Sequence, residues 1–391
     1  MKRIWPFTFY FLYFAALASL LPFFVLFYQG LRFNVAQIGL LTGIPPLITL
    51  VASPFWTGLA DSRHWHKWIM GIGIALAVLV ISLLPSFTSF VVIFLLIILF
   101  NIFISPVPSL ADSATINMLG AERTMYGRIR LGGTIGWGLF APIAGALVEN
   151  YSLKIAFWSF SVIMLINLFI SQRFVHASRD DSGSNHGGVR VLLTNRRWLH
   201  FLFLAFLGGL GSFSVASYLF PYMAEMGASE STMGIALTIS TLSEIPIFFF
   251  GHRLVKKFTT YRLLILALVL MGIRAVLYGA VSTPEMVLIL QVFGGTLFPA
   301  MWVAGVSYAD ENSPPGLKSS AQGLFGATTF GVGSAVSGFV GGLLLGNIGG
   351  RGMFLVLGVI IFAGLAVAEG VRRLFPEKDE LPPAVVVPSD K

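Results

Sequence analysis

About twelve apolar runs of membrane-spanning length fill nearly all of this chain, and only short polar connectors separate them. About 20 apolar residues is what an α-helix needs to cross the hydrocarbon core of a bilayer. In lipid only helices and closed barrels satisfy their own backbone polar groups. The pattern predicts an all-α polytopic membrane protein with twelve transmembrane helices. The spans fall at roughly 5–28, 36–60, 68–84, 90–117, 127–149, 153–173, 198–223, 231–252, 261–281, 285–309, 318–346 and 352–375. Charged residues make up only 11% of the chain and apolar residues 56%, so no soluble domain of this size could hide its apolar surface.

An even number of spans puts both termini on one side. Of the 25 basic residues, 21 fall on that side, among them Lys2, Arg3, Arg63, Lys67, Arg196, Arg197, Arg253, Lys256, Lys257, Arg372 and Arg373. The other side holds Arg32, Lys154 and Arg351, and Arg274 lies within a span. Basic connectors stay in the cytoplasm, so both termini are expected there, in a multi-pass protein of the cytoplasmic membrane. The net charge of +8 is spread over juxtamembrane segments that meet anionic headgroups, which argues against nucleic-acid binding. The first apolar run is long, aromatic and lacks a small-residue cleavage site before Tyr28, so it is expected to remain as the first span.

There is no cysteine, which excludes disulfides, iron–sulfur clusters and thiolate zinc sites. His64, His66, His176, His186, His200 and His252 sit in connectors or at span ends, so neither a haem nor a histidine proton relay is expected in mid-membrane. No metal or cofactor is expected.

The connector from Val175 to Arg197 is polar and glycine-rich and reads as a cytoplasmic linker. It divides the chain into a six-helix bundle at 1–174, the linker at 175–197, a second bundle at 198–376 and a tail at 377–391. A shift of 195 residues lays Thr134-Ile135-Gly136-Trp137-Gly138 over Thr329-Phe330-Gly331-Val332-Gly333, in span 5 and span 11. That is the offset a half-length duplication requires. Gly39/Gly43, Gly132/Gly136 and Gly338/Gly342 have four-residue spacing, which suits close helix approach in lipid. Static packing explains such glycines, and so does a seam smooth enough for two bundles to rock.

A charge inside a span costs about 3 kcal/mol and normally faces the bundle interior with a partner. Glu244 is expected about eight residues from the cytoplasmic end of span 8 and Arg274 about thirteen from that of span 9, so their backbones differ in depth by roughly 8 Å. They read either as a permanent ion pair or as a carboxyl group that alternates between protonated and paired states. In span 4, Asn101, Ser105, Pro108 and Asp112 recur on one helical face, with Pro106 and Pro108 breaking the backbone ladder. Arg128 and Arg130 open span 5, so an Asp112–Arg130 contact is expected, as a brace or as a gate. Gln291, Gly294, Phe298 and Trp302 form a stripe on span 10, Phe213, Tyr218 and Tyr222 lie on span 7, and Thr238 and Thr241 lead to Glu244 on span 8. Asp310 and Glu311 read as a solvated turn before Ser-Pro-Pro-Gly, and Glu369 pairs locally with Arg372 and Arg373.

Twelve spans, a central linker and a half-length repeat resemble the major facilitator superfamily along the whole chain. Its signature between spans 2 and 3 is approached by Thr57-Gly58-Leu59-Ala60-Asp61-Ser62-Arg63-His64-Trp65-His66-Lys67. Asn101-Ile102-Phe103-Ile104-Ser105-Pro106-Val107-Pro108-Ser109-Leu110-Ala111-Asp112 and Tyr126-Gly127-Arg128-Ile129-Arg130-Leu131-Gly132-Gly133-Thr134-Ile135-Gly136 resemble the phenylpropionate-permease branch, which is similar to the lactose-permease-like symporters. The resemblance implies two six-helix bundles and proton symport of a small organic solute. It also implies Glu244 and Arg274 in the central site, and gate contacts at Asp61.

The combined reading is a monomeric secondary transporter, not an enzyme, that moves an aromatic acid, sugar or nucleoside by alternating access. Glu244, Arg274 and Asp112 are assigned to proton coupling, and Asp61, Arg128 and Arg130 to gating or structure. A carboxylate solute would take Arg274 as counter-charge. A sugar or nucleoside would use Asn101, Gln291 and Trp302, with Thr241 and Tyr218 as further solute contacts. A proton-coupled exporter is the nearest alternative.

Overall fold

The computed structural model describes residues 4–175, 191–314 and 317–374. Most of the linker, the tail at 377–391 and the Pro315-Gly316 step lie outside the described residues, as do Lys2, Arg3, His176 and His186. Eleven helices among the described residues are long and apolar enough to cross a membrane. They are α1 (Ile4–Gly30), α2 (Val35–Arg63), α3 (His66–Ser86), α4 (Phe90–Leu119), α5 (Tyr126–Asn150), α6 (Lys154–Ser171), α7 (Arg196–Glu225), α8 (Glu230–Phe258), α9 (Thr260–Ala280), α10 (Pro284–Asn312) and a last one, Ser320–Leu374. The last holds 55 residues, about 80 Å of helix, which is far more than one crossing needs. It breaks at Gly349, whose φ of 70° and ψ of 174° suit a residue without Cβ. The break separates α11 (318–348) from α12 (350–374), and the fold has twelve spans.

Proline shapes several of these helices. Pro22 accompanies a 3₁₀ turn at Leu21–Phe23 in α1. In α4 the regular helix stops at Ile104 and resumes at Val107. Pro106 has no N–H to return to the Ile102 carbonyl, and the Ser105 hydroxyl donates to that carbonyl instead at 3.0 Å. In α11, Ala327–Gly333 is π-helical.

The first six helices pack among themselves and so do the last six. In the first half α5 runs along α1, where Gly132, Gly133 and Gly136 lie against Phe7, Phe14 and the Phe11 carbonyl. The equivalent pair in the second half is α11 on α7, with Thr329 and Gly333 against Gly209. The two copies of the repeated segment thus make matching contacts with the first helix of their own half.

The halves meet along two long seams, α5 with α8 and α2 with α11, and at a smaller contact of the far end of α1 on α7, where the Phe23 and Phe220 rings lie 5.1 Å apart. Gly145 lies on the Glu230 backbone, Gly234 on Ala141 and Pro142, Gly342 on Gly39, and Gly338 on Thr42 and Gly43. These contacts lie in the part of the molecule away from the termini. Nearer the termini, Gly58 in α2, Gly127 in α5 and Gly323 and Gly326 in α11 have nothing within 4 Å of where a Cβ would stand. The halves are therefore shut together at one end and splayed at the end that carries the termini. Of the three glycine pairs, Gly39/Gly43 and Gly338/Gly342 face each other in the α2–α11 seam, whereas Gly132/Gly136 serve packing within the first half.

Two expectations need correction. α8 continues to Phe258, beyond the end at 252 that its hydropathy suggests. Its last turn carries Lys256 and Lys257, cations that suit a helix C-terminus, and Arg253 stacks on Phe250 at 5.2 Å. Asp310 and Glu311 belong to the last turn of α10 rather than to a solvated turn. Lys318 holds Asp310 at 3.0 Å, and the Thr260 hydroxyl donates to Glu311 at 2.9 Å.

Candidate functional site

The first cluster lies in the first half, near the open end. Asp112 is seven residues before the end of α4, about 10 Å in, and Arg130 is four residues into α5. Arg130 Nε stands 3.9 Å from Asp112 Oδ1. The Tyr10 hydroxyl of α1 donates to the same Oδ1 at 2.5 Å. The Arg130 guanidinium also lies over the rings of Tyr10 and Phe14, at 4.9 and 4.8 Å, so two aromatic faces hold the cation beside the carboxylate. The Asp112 and Arg130 side chains remain 34% and 37% exposed, so the pair is only partly buried. Tyr10 and Phe14 were not singled out from the sequence, because α1 is apolar or aromatic on every face.

The second cluster lies deeper, in the second half. Glu244 is fourteen residues from the end of α8, and Arg274 is fourteen from the start of α9. Both are about 21 Å from the terminal side, so they lie level rather than 8 Å apart. Even so, no ion pair within 4.0 Å joins them. Arg274 is buried and donates from Nη1 to the Gly294 carbonyl at 3.0 Å, while its Nε has no partner. The Tyr278 hydroxyl is buried and unpartnered too, and Gln291 is buried beside Gly294. Glu244 is partly exposed and makes no hydrogen bond among the described residues. The fixed Glu244–Arg274 brace is absent from this conformation.

Trp302 is part of an aromatic wall with Phe298, Phe325 and Phe330, with ring centroids 4.9 to 6.1 Å from its own. Asn101 donates to its own helix at Ile97, 2.8 Å away. Thr241 back-bonds to Leu237 at 2.8 Å and packs on Gly138 at the α5–α8 seam. Tyr218 is fully buried where α2, α7 and α11 meet, and its hydroxyl donates to the Gly338 carbonyl. Thr241 and Tyr218 are thus engaged in packing between the halves here. Asp61 bonds to His66 Nε2 at 2.7 Å, and Arg128 is exposed near Met125. No group of three or more His, Asp or Glu among the described residues could hold a metal ion.

Residues 5–356 match the sequence model of the MFS_1 like family. The chain belongs to that family, within the major facilitator superfamily. It is 28% identical to the maltose permease of Geobacillus stearothermophilus, across 94% of this chain and 95% of the permease. It is 25% identical to the multidrug resistance protein MdtG of Salmonella typhi, with 92% of each covered. The crystal structure of the nucleoside transporter NupG superposes with a TM-score of 0.82 at 18% identity, covering 96% of this chain and all of that one. This MFS protein is accordingly a membrane transporter of small solutes and not an enzyme. It has the two-bundle fold of the superfamily.

Proposed function

We propose that this transporter carries a neutral, hydroxylated ring compound, a sugar or nucleoside, into the cell by proton symport, with Glu244 as the group that takes up and releases the proton. The observation that carries the coupling assignment is Glu244 itself. It is a carboxyl group halfway along α8, level with a buried guanidinium, and among the described residues it has no hydrogen bond or ion pair. A charge in that position is costly, and protonation removes the cost. Neutral Glu244 favours reorientation of the loaded transporter, and ionised Glu244 favours release.

The Asp112–Arg130–Tyr10 cluster supports this solute class. An adjoining acid and base present acceptors and donors side by side without net charge, which suits the hydroxyls of a sugar ring. Arg274, the expected counter-charge for an aromatic acid, is buried and holds a backbone carbonyl. The maltose permease and NupG are named for solutes of the hydroxylated-ring class. Asn101, Gln291 and Trp302 would complete the site, the last by stacking. The excess of basic residues on the terminal side supports cytoplasmic termini in the cytoplasmic membrane. The splayed end then faces the cytoplasm. The transporter would work as a monomer on solute, protons and lipid alone.

Proton-coupled export by antiport is a second reading, supported by the likeness to MdtG along nearly the whole chain. A proteoliposome screen of sugars, nucleosides and aromatic acids tests both, with a pH gradient imposed in either direction. Symport predicts uptake driven by an acidic exterior, and export predicts the reverse. Uptake that ignores the gradient sinks both. For a solute found this way, Asp112→Ala strands Arg130 and removes an acceptor, and kcat/KM should fall roughly tenfold or more. An unchanged value would remove Asp112 from the site.

A further inference from the structure

Each of the two long seams carries one threonine that hydrogen-bonds across to the opposite half. In the α5–α8 seam, Thr238 Oγ1 of the second half donates to the Gly138 carbonyl of the first at 2.8 Å, closer than the 3.3 Å to Gly234 in its own helix. In the α2–α11 seam, Thr42 Oγ1 of the first half stands 2.8 Å from the Tyr218 hydroxyl of the second, which donates to the Gly338 carbonyl. Thr42 Oγ1 is 3.0 Å from that carbonyl and 2.9 Å from the Ile38 carbonyl of its own helix, so its hydrogen bond with Tyr218 is the shortest of its contacts and the one that crosses the seam. The arrangement is reciprocal. Thr42 lies seven residues into α2 and Thr238 eight into α8, the second helices of the two halves.

The acceptor in the first seam has a particular need of its donor. A helix returns the N–H of residue 142 to the carbonyl of residue 138, and residue 142 is proline. Within a bilayer an unpaired carbonyl is costly. Thr238 fills that vacancy from the other half, and only while the seam is shut. Glycines on both sides of each seam allow the approach. Gly234 lies on Ala141 and Pro142, and Gly342 and Gly338 lie on Gly39 and Thr42.

We propose that Thr42 and Thr238 form a paired clasp that holds shut the mouth away from the termini, and that releasing both hydrogen bonds is a step of the transport cycle. They are positioning residues that set the balance between the two open states. The proposal rests on alternating access but not on the solute or the proton coupling.

The chain has no cysteine, so two introduced cysteines give clean spin-label sites. Tyr151→Cys in the α5–α6 connector and Ser282→Cys in the α9–α10 connector are exposed, lie at the shut end and belong to different halves. The double-labelled parent should show one dominant short distance in lipid vesicles without solute. Thr42→Val with Thr238→Val should add a longer distance, with the open-to-shut ratio rising about fivefold for each hydrogen bond removed. Thr42→Ser with Thr238→Ser, which keep the hydroxyls, should restore the parent distribution. Pro142→Ala returns an N–H to the Gly138 carbonyl without touching either threonine and should shift the distribution the same way to a smaller extent. It decides the matter if the valine variant does not fold. A distribution identical to the parent in the folded valine variant, or in Pro142→Ala where that variant stands alone, overturns the clasp. So does a serine variant that behaves like valine.

Discussion

Gly342→Val should reduce solute uptake by on the order of a hundredfold while leaving the protein folded and in the membrane. The Cβ of any larger residue at 342 would stand 2.7 Å from the Gly39 Cα and 2.8 Å from its nitrogen. Both are backbone atoms, so no rotamer change relieves the clash and the two halves must part. Overpacking of this kind costs about 1–3 kcal/mol, and here the whole cost falls on the state in which the seam is shut. Differential destabilisation by about 3 kcal/mol shifts a two-state equilibrium more than a hundredfold, which strands the transporter with that mouth open. The variant should elute normally in gel filtration and show the long spin-label distance almost alone. Gly30→Ala is the control, because nothing stands within 4 Å of its Cβ position, and its uptake should stay within about twofold of the parent. Full uptake by Gly342→Val would mean that the seam need not close.

Glu244→Gln should abolish accumulation against a gradient while leaving exchange intact. A 1:1 symporter with one unit of pH difference can concentrate its solute about tenfold, since one pH unit corresponds to 1.36 kcal/mol. The amide has the shape of a protonated carboxyl and cannot ionise. The loaded carrier should still reorient, and labelled solute should still exchange for unlabelled solute across the vesicle membrane. The accumulation ratio should fall to about one at equal exchange rates. Loss of exchange together with accumulation would instead mark Glu244 as a packing or solute-binding group.

The fold was legible in the sequence because lipid imposes a coarse rule. Each span must be long and apolar, each connector polar, and even the break at Gly349 falls in the expected connector between 346 and 352. The Asp112–Arg130 contact was legible too, since a rare carboxylate late in span 4 and cations early in span 5 have few other partners. Depth was less legible. Hydropathy ends a span at the first cations, whereas the α8 backbone runs on through Arg253, Lys256 and Lys257 to Phe258, which moves Glu244 level with Arg274.

Hydrogen bonding across the seams was not legible. Thr42 and Thr238 look like ordinary span residues, and threonine back-bonds to its own helix in any sequence. A carbonyl vacated by Pro142 can be listed from sequence, but the helix that brings its donor is known only once the halves are packed. Tyr10 and Phe14 escaped notice for the same reason, because their partner cation is 120 residues or so further along the chain. The π-helical stretch at Ala327–Gly333 likewise has no counterpart in the repeated segment of α5.

Solute-driven proton movement reports on Glu244 as the coupling group without an imposed gradient. Purified transporter is sealed in vesicles with a pH-sensitive dye inside and no imposed gradient, and sugars, nucleosides and aromatic acids are added outside in turn. At least one sugar or nucleoside should acidify the interior, and Glu244→Gln should abolish the signal while exchange of the same solute persists. Solute flux through the unaltered protein with no change in internal pH would contradict proton symport.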